Sequence, residues 1–412
     1  MGAIATQPLV DLRADFPVLQ RRFNGKRLVY LDSGASAQKP RQVIEAMERF
    51  YSSSYGTVHR GVYELGREAT ELFEGARERI AAFVGWDPAC SIYTRNATEA
   101  INLVAYAWGR DNVGEGDDVL ITEMEHHSNI VPWQLLCEET GAQLRYLAVS
   151  DSGELSLGQL DAVLAEGRVK LVAFAHVSNV LGTINPVEEI VRRARAAGAV
   201  TVIDGAQAVP QLPVDLGAID ADFYAWTGHK ALGPTVGMLH GRRELLKEMR
   251  PFLGGGHMIS RVEREHSSWN ELPWKFEAGT SAIAEAIGLG AAVDYLAAVG
   301  MEQVRAHERD LTLYGLERLS EVEGIRIFGP TDLDRRGGVI SFAIDGMHAH
   351  DIAELCDREA VCVRAGHHCA QPLMRLLGVA ATARATFQVY NSREDVDALV
   401  SALHRARKVF KL

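Results

Sequence analysis

The chain has no apolar run near the ~20 residues that a membrane-spanning helix needs, and its N-terminus lacks the charged-then-apolar pattern of a secretory leader. Cysteine is sparse: five in 412 residues (Cys90, Cys137, Cys356, Cys362, Cys369), an odd count without a CxxC spacing. That excludes a disulfide framework and argues against a zinc ribbon or a redox pair. Positive charge is in deficit, with 43 Lys and Arg against 54 Asp and Glu and a formal net charge of −11. A nucleic acid or an anionic membrane would therefore lack its basic partner surface. No Gly-x-Gly-x-x-Gly joins a strand to a helix, which speaks against a nicotinamide dinucleotide. Met1-Gly2-Ala3-Ile4-Ala5-Thr6 fits the myristoylation pattern, but nothing nearby supplies the second anchor that stable membrane attachment needs. The expectation is a cytoplasmic protein with no metal and at most one reactive thiol.

What is present is an α/β texture. From about residue 90 to 241, short apolar runs alternate with helical patterns. Strands are predicted at 118–122, 144–149, 169–177, 199–203 and 223–226, and a helix at 187–197 carries Ile190, Val191 and Ala194 at helical spacing. Near-continuous apolar strands separated by helices imply a mostly parallel sheet covered on both faces, with ligands gathered at the carboxyl ends of its strands. From about 285 the pattern changes to two long helices (285–299 and 301–322), strands at 338–344 and 361–363, and a closing helix at 393–409. The division expected is an N-terminal segment (1–30) packing with the small domain, a large cofactor-binding domain (31–290) and a smaller α+β domain (291–412).

Three of the predicted strands run into polar clusters. One leads to His176-Val177-Ser178-Asn179, the next ends in Asp204-Gly205-Ala206-Gln207, and the third enters Thr227-Gly228-His229-Lys230. Singly, Asp204 reads as a turn cap and Lys230 as a surface charge. Together they suit a pyridine cofactor held as a Schiff base, with the lysine as the imine and the carboxylate on the ring nitrogen. Tyr93-Thr94-Arg95-Asn96-Ala97-Thr98-Glu99 leads into a helix whose start, with the Thr98 hydroxyl, offers an anion site; Thr227 and His229 would add donors. Alone, that Thr-x-x-Glu is ordinary capping. In Glu125-His126-His127-Ser128-Asn129 one histidine is a candidate to lie on the cofactor ring, whereas a metal reading lacks ligand spacing. Cys369, in Arg364-Ala365-Gly366-His367-His368-Cys369, follows a short strand among cationic neighbours that favour thiolate. Arg384 is a candidate clamp for a substrate carboxylate.

With these motifs in order, and with Val58-His59-Arg60-Gly61, Asn129-Ile130-Val131-Pro132-Trp133 and Phe276-Glu277-Ala278-Gly279-Thr280 beside them, the chain resembles the SufS-type (group II) cysteine desulfurases. These are class V aminotransferase relatives among the fold-type I pyridoxal-phosphate enzymes, and the likeness runs from about Asp15 nearly to the C-terminus. The resemblance implies a fold-type I architecture and pyridoxal 5'-phosphate as cofactor. It implies Lys230 as the Schiff-base lysine, Asp204 on the ring nitrogen, Gln207 on the ring oxygen and His127 stacked on the ring. Ala97, Thr98, Thr227 and His229 would hold the phosphate, with Thr280 reaching across from the second subunit of a homodimer. Arg384, Asn179, Arg364 and His59 would bind substrate, and Cys369 would carry a persulfide. Asn96-Ala97 departs from the Gly-Thr or similar pair usual in the phosphate turn, and Ala231-Leu232 and Thr386 also depart from the common pattern.

The implied reaction takes sulfur from L-cysteine, leaves L-alanine, and hands the sulfur to an acceptor protein of SufE or SufU type or to a pathway-specific carrier. The nearest alternative is a selenocysteine lyase acting on L-selenocysteine. Another aminotransferase or epimerase chemistry, or an inactive scaffold that binds a sulfur carrier, stands further off.

Overall fold

Side chains alternate between the two faces of the central strands, and this period-2 pattern organises the larger lobe. The structure, a computed structural model, describes residues 12–23 and 25–412. The myristoylation pattern and the first part of the 1–30 segment lie outside them. Seven strands run in the order Gln143–Leu147, Asp118–Thr122, Val169–Ala175, Val200–Asp204, Phe223–Thr227, Gly237–Gly241, Ser91–Thr94. The first five pair in parallel, and Gly237–Gly241 alone runs against its neighbours. Val172, Phe174, Tyr224 and Trp226 enter one apolar cluster, under helices Glu64–Phe83 and Ile283–Val299. Leu171, Ala173, Phe223 and Ala225 enter the other, under Ala97–Val104 and Val131–Thr140. Burial on both faces is why these strands read as apolar runs.

Five of the seven strands lie within two residues of where the sequence predicts them. The two unforeseen ones are the four-residue Ser91–Thr94 and Gly237–Gly241, which has glycine at both ends and no β-branched residue.

The smaller lobe is an antiparallel sheet in the order Ile325–Phe328, Val339–Ile344, Thr382–Thr386, Arg364–Gly366. Helices Met301–Ser320, Ala349–Arg358 and Arg393–Phe410 cover it, packing Leu311, Ile352 and Leu399 with Phe342 of the sheet. Val29–Tyr30 pairs in parallel with Val361–Cys362, and Arg27 reaches the buried Asp395 at 2.5 Å. The expected boundary at 290/291 needs correction. Helix Ile283–Val299 passes through it, and Val293 and Leu296 belong to the large lobe's core. The chain turns instead at Gly300, whose φ of 89° favours glycine. Among the described residues no single helix is long and apolar enough to cross a membrane, and no three His, Cys, Asp or Glu side chains are grouped for a metal.

Candidate active site

The parallel strands ending at Ala175, Asp204 and Thr227 converge on a cavity of about 280 Å³ between the lobes. Asp204 is the last residue of its strand, where its Oδ1 accepts the Ala206 N–H at 2.9 Å. Lys230 lies in the turn after the neighbouring strand, which Gly228 N–H closes on Val236 O at 2.7 Å. Burial raises the Asp204 carboxyl above its usual 3.8, and Lys230 opposes that shift. Burial likewise draws the Lys230 ammonium down to about 8, with Asp204 opposing. An amine and a carboxyl thus face one enclosed space, each pushed toward neutrality by desolvation and held back by the other.

Gly205 follows Asp204 because nothing larger fits. A Cβ there would stand 2.0 Å from Tyr224 Cε1, and that ring is fixed by a 2.9 Å hydrogen bond between its hydroxyl and His176 Nδ1. Overpacking a closed core costs about 1–3 kcal/mol or more. Gly205→Ala is therefore expected to lower the thermal midpoint by several degrees and to weaken cofactor retention, both readable in one melt with and without added cofactor.

The anion end of the cavity is built by Asn96, Ala97 and Thr98. Asn96 caps the helix: its Oδ1 accepts the Glu99 N–H at 2.9 Å, while Glu99 Oε2 accepts the Arg95 N–H at 2.5 Å. The departure at Asn96 thus serves as a cap. The first helical amides have no acceptor within the helix and are available to an anion. Thr98 Oγ1 sits 2.6 Å from Ser128 Oγ. Thr227 and His229 line the same space, with His229 held neutral, its pKa lowered to about 4 first by burial and then by Lys230 and Lys39. Gly237 lets the turn approach the sheet, since a Cβ there would meet the Asn96 backbone at 2.4 Å.

The histidine assignment needs correcting: His126, not His127, lines the cavity. The buried Glu125 fixes which ring turns inward. It accepts Asn129 Nδ2 at 2.7 Å and the Ala175 N–H at 3.1 Å, while Trp133 Nε1 donates to Asn129 Oδ1 at 2.9 Å. That network seats the 3-10 turn His127–Asn129. His126 Nδ1 accepts the Ser128 N–H at 3.1 Å, and burial lowers its pKa to about 3, with Lys230 adding to the shift. His127 instead accepts the Gln371 N–H on Nε2 at 3.1 Å and gives its own N–H to Cys369 O at 2.7 Å. Adjacent histidines on a turn point apart, so the sequence alone left a choice between them.

Cys369 is the one exposed cysteine of the five, all of which are free, and it lines the cavity beside Arg364, His368 and Arg384. Arg384 is buried and donates to Asn179 O at 2.9 Å, while Asn179 Nδ2 donates to His368 O at 2.6 Å. These bonds join the lobes across the cleft. Burial brings Arg384 down to about 10 against the pull of Asp32, which stands 3.5 Å from Arg384 and 3.7 Å from Arg364. Asp32 was not among the predicted site residues, and two arginines predicted at one site were the available signal for a carboxylate partner. Gly34, Ala35 and Ala206, which also line the cavity, carry no side-chain chemistry for a sequence reading to catch.

Two further candidates are not gathered here. His59 Nε2 faces Glu74 at 2.6 Å, its ring stacks on His257, and it is not among the cavity's lining residues. Thr280 is exposed and borders a second cavity, which reaches Asn96 from the other side. Neither reaches the cavity within its own chain.

The open groups suit a ligand that carries both an anion and a hydroxyl or protonated ring donor, since they include unpaired donors and an unpaired acceptor. Gln207 is buried and donates to Gly34 O at 2.8 Å, leaving its Oε1 enclosed and without a partner. The Arg384 Nε is likewise enclosed and unpaired. Such orphaned groups are costly unless a ligand satisfies them.

The aminotransferase class-V family model matches residues 29–399. A probable cysteine desulfurase from Halalkalibacterium halodurans is 48% identical over 402 residues, covering 97% of this chain and 98% of its own length. The apo cysteine desulfurase of Thermococcus onnurineus NA1 superposes with a TM-score of 0.92 at 37% identity, over 98% of both chains. The cysteine desulfurase CsdA of Escherichia coli, in an S-sulfonic acid form, superposes with a TM-score of 0.89 at 38% identity, over 96% of this chain and 98% of its own.

Proposed function

The chain belongs to the aminotransferase class-V family, and from that premise we propose how its residues carry out the reaction and where the sulfur goes next. It is a pyridoxal-phosphate-dependent cysteine desulfurase, converting L-cysteine to L-alanine with transfer of the sulfur. One observation carries the residue assignment: Lys230 and Asp204, at adjacent strand ends, share a cavity with the exposed Cys369 and the buried Arg384.

Pyridoxal phosphate, when bound, supplies an aldehyde that captures amines and a protonated ring that draws electron density from the substrate α-carbon. Lys230 Nζ would hold the cofactor through its aldehyde. Its amine, drawn down to about 8 by burial, would when free take the substrate α-proton close to neutral pH. Asp204 would pair with the ring nitrogen and keep it protonated by its charge. His126 walls the cavity with a neutral imidazole, and the helix start at Ala97 and Thr98, with Thr227 and His229, binds the phosphate. Arg384 and Asn179 orient the substrate carboxylate, with Arg364 at the cavity mouth. The Cys369 thiolate attacks the substrate sulfur: an S–S bond forms, and the C–S bond breaks with its electron pair left on carbon. The β-carbon takes a proton, Lys230 would return the proton it took to the α-carbon to give alanine, and Cys369 is left as a persulfide.

An exposed Cys369 supports delivery to the thiol of an acceptor protein, of SufE or SufU type or a dedicated carrier. Five free cysteines support a reducing, cytoplasmic setting. A homodimer is supported by Thr280 bordering the second cavity and by exposed Tyr51, Tyr55, Val62 and Tyr63 in one segment. The test is an absorbance spectrum of the purified protein, followed by L-cysteine and an assay of alanine and sulfide under reductant. A band near ~420 nm that shifts on cysteine, with alanine formed, is the expected result. Absence of the band after adding pyridoxal phosphate would overturn it.

A further inference from the structure

We infer that His127 is a positioning residue whose side chain latches the Cys369 loop to the large lobe. The inference rests on the reading of Cys369 as the sulfur carrier. His368 and Cys369 have φ of 52° and 56°, two successive non-glycine residues in the left-handed region that L side chains disfavour. Such a loop relaxes unless its surroundings hold it.

Four ties do so. His368 Nε2 bonds to Thr382 Oγ1 at 2.8 Å, and His368 O accepts Asn179 Nδ2 at 2.6 Å. The remaining two come from His127, which gives its backbone N–H to Cys369 O at 2.7 Å and accepts the Gln371 N–H on its ring at 3.1 Å. His127 thus grips the loop immediately after the Cys369 side chain, on both sides of Ala370. Its own turn is anchored by the buried Glu125–Asn129–Trp133 network, so the latch is rigid at its base. The side-chain tie requires a neutral ring with Nε2 as acceptor, and burial keeps the His127 pKa below the ordinary 6.5, with His367 adding to the effect. Placing Sγ against a bound substrate sulfur is an orientation problem, in which small displacements cost large factors in rate.

Substitution isolates the side-chain tie, because the backbone bond to Cys369 O survives it. In holoenzyme, His127→Ala is expected to lower kcat for cysteine desulfuration about tenfold and to change KM for L-cysteine less than twofold. Cys369, the only exposed cysteine, should be alkylated by iodoacetamide several-fold faster in that variant. His127→Gln, which puts an amide oxygen in the place of Nε2, should return kcat and alkylation to within about threefold of the parent. The cofactor band should be unchanged in both, showing that the variants fold. A His127→Ala enzyme with parental kcat and alkylation rate would overturn the latch, and so would His127→Gln being as impaired as His127→Ala. A shifted cofactor band would return His127 to the ring. Failure of the persulfide reading is separate, since it appears as desulfuration surviving Cys369→Ser.

Discussion

Replacing Cys369 by Ser is expected to cut alanine and sulfide formation from L-cysteine by on the order of 10³-fold, while the cofactor band and its shift on cysteine addition persist. The two halves of the result have different origins. On the proposed assignment, cofactor and substrate capture depend on Lys230, Asp204 and Arg384, each held by its own strand, turn or cross-lobe contacts. Changing one atom at the cavity rim breaks none of those contacts. Sulfur abstraction, by contrast, needs a nucleophile that is ionised and soft, and a serine hydroxyl is neither near neutral pH. Cys362 cannot substitute, because it is half-buried and burial raises its thiol to about 11. Single-turnover assays of alanine, with cyanide to detect sulfane sulfur, separate the steps. Persistent alanine formation in the variant would remove Cys369 from the mechanism. L-selenocysteine is the informative control, since selenium leaves more readily: retention of selenide release alone would mark a lyase that does not require the thiolate.

How legible the site was in the sequence depends on what each residue does. Asp204 and Lys230 were readable because strands buried on both faces leave an apolar signature that stops at the polar residue. The turn proposed to bind the phosphate was readable as a helix start, since capping is local. What escaped was set by tertiary contact. His126 and His127 differ only in which side of a turn they occupy, and that is decided by Glu125 bonding to Asn129 and to the Ala175 N–H of the adjacent strand. Asp32 acquires its place between Arg364 and Arg384 only when the N-terminal segment pairs with the small lobe. The strand Gly237–Gly241 was invisible because its glycines serve close packing: Gly237 admits the phosphate turn and Gly241 clears Leu246 and Phe223. The misplaced boundary at 290/291 has the same cause, as an almost uniformly apolar helix does not reveal which lobe buries it.

Lys230→Ala is expected to lower turnover by on the order of 10⁴-fold and to abolish covalent capture of the cofactor by borohydride reduction. The reason lies in the pH dependence of the intact lysine. Burial lowers its pKa to about 8, whereas Asp204 holds it up. The sign follows directly. A lowered pKa puts more of the amine in its unprotonated, nucleophilic form, about a quarter at pH 7.5 where an ordinary lysine has ~0.1 %. Pyridoxal phosphate should therefore reconstitute the cofactor-free protein at a rate that rises through about pH 8 and levels off by about pH 9. A solvent-exposed lysine would still be gaining reactivity beyond pH 10. Asp204→Asn removes the group that opposes the shift, so the amine deprotonates more easily and the midpoint must move to lower pH. Stopped-flow absorbance on the two cofactor-free proteins measures both midpoints. A rate that climbs past pH 10 would mean that Lys230 is not desolvated. A midpoint that rises in Asp204→Asn would mean that the carboxylate does not face the amine.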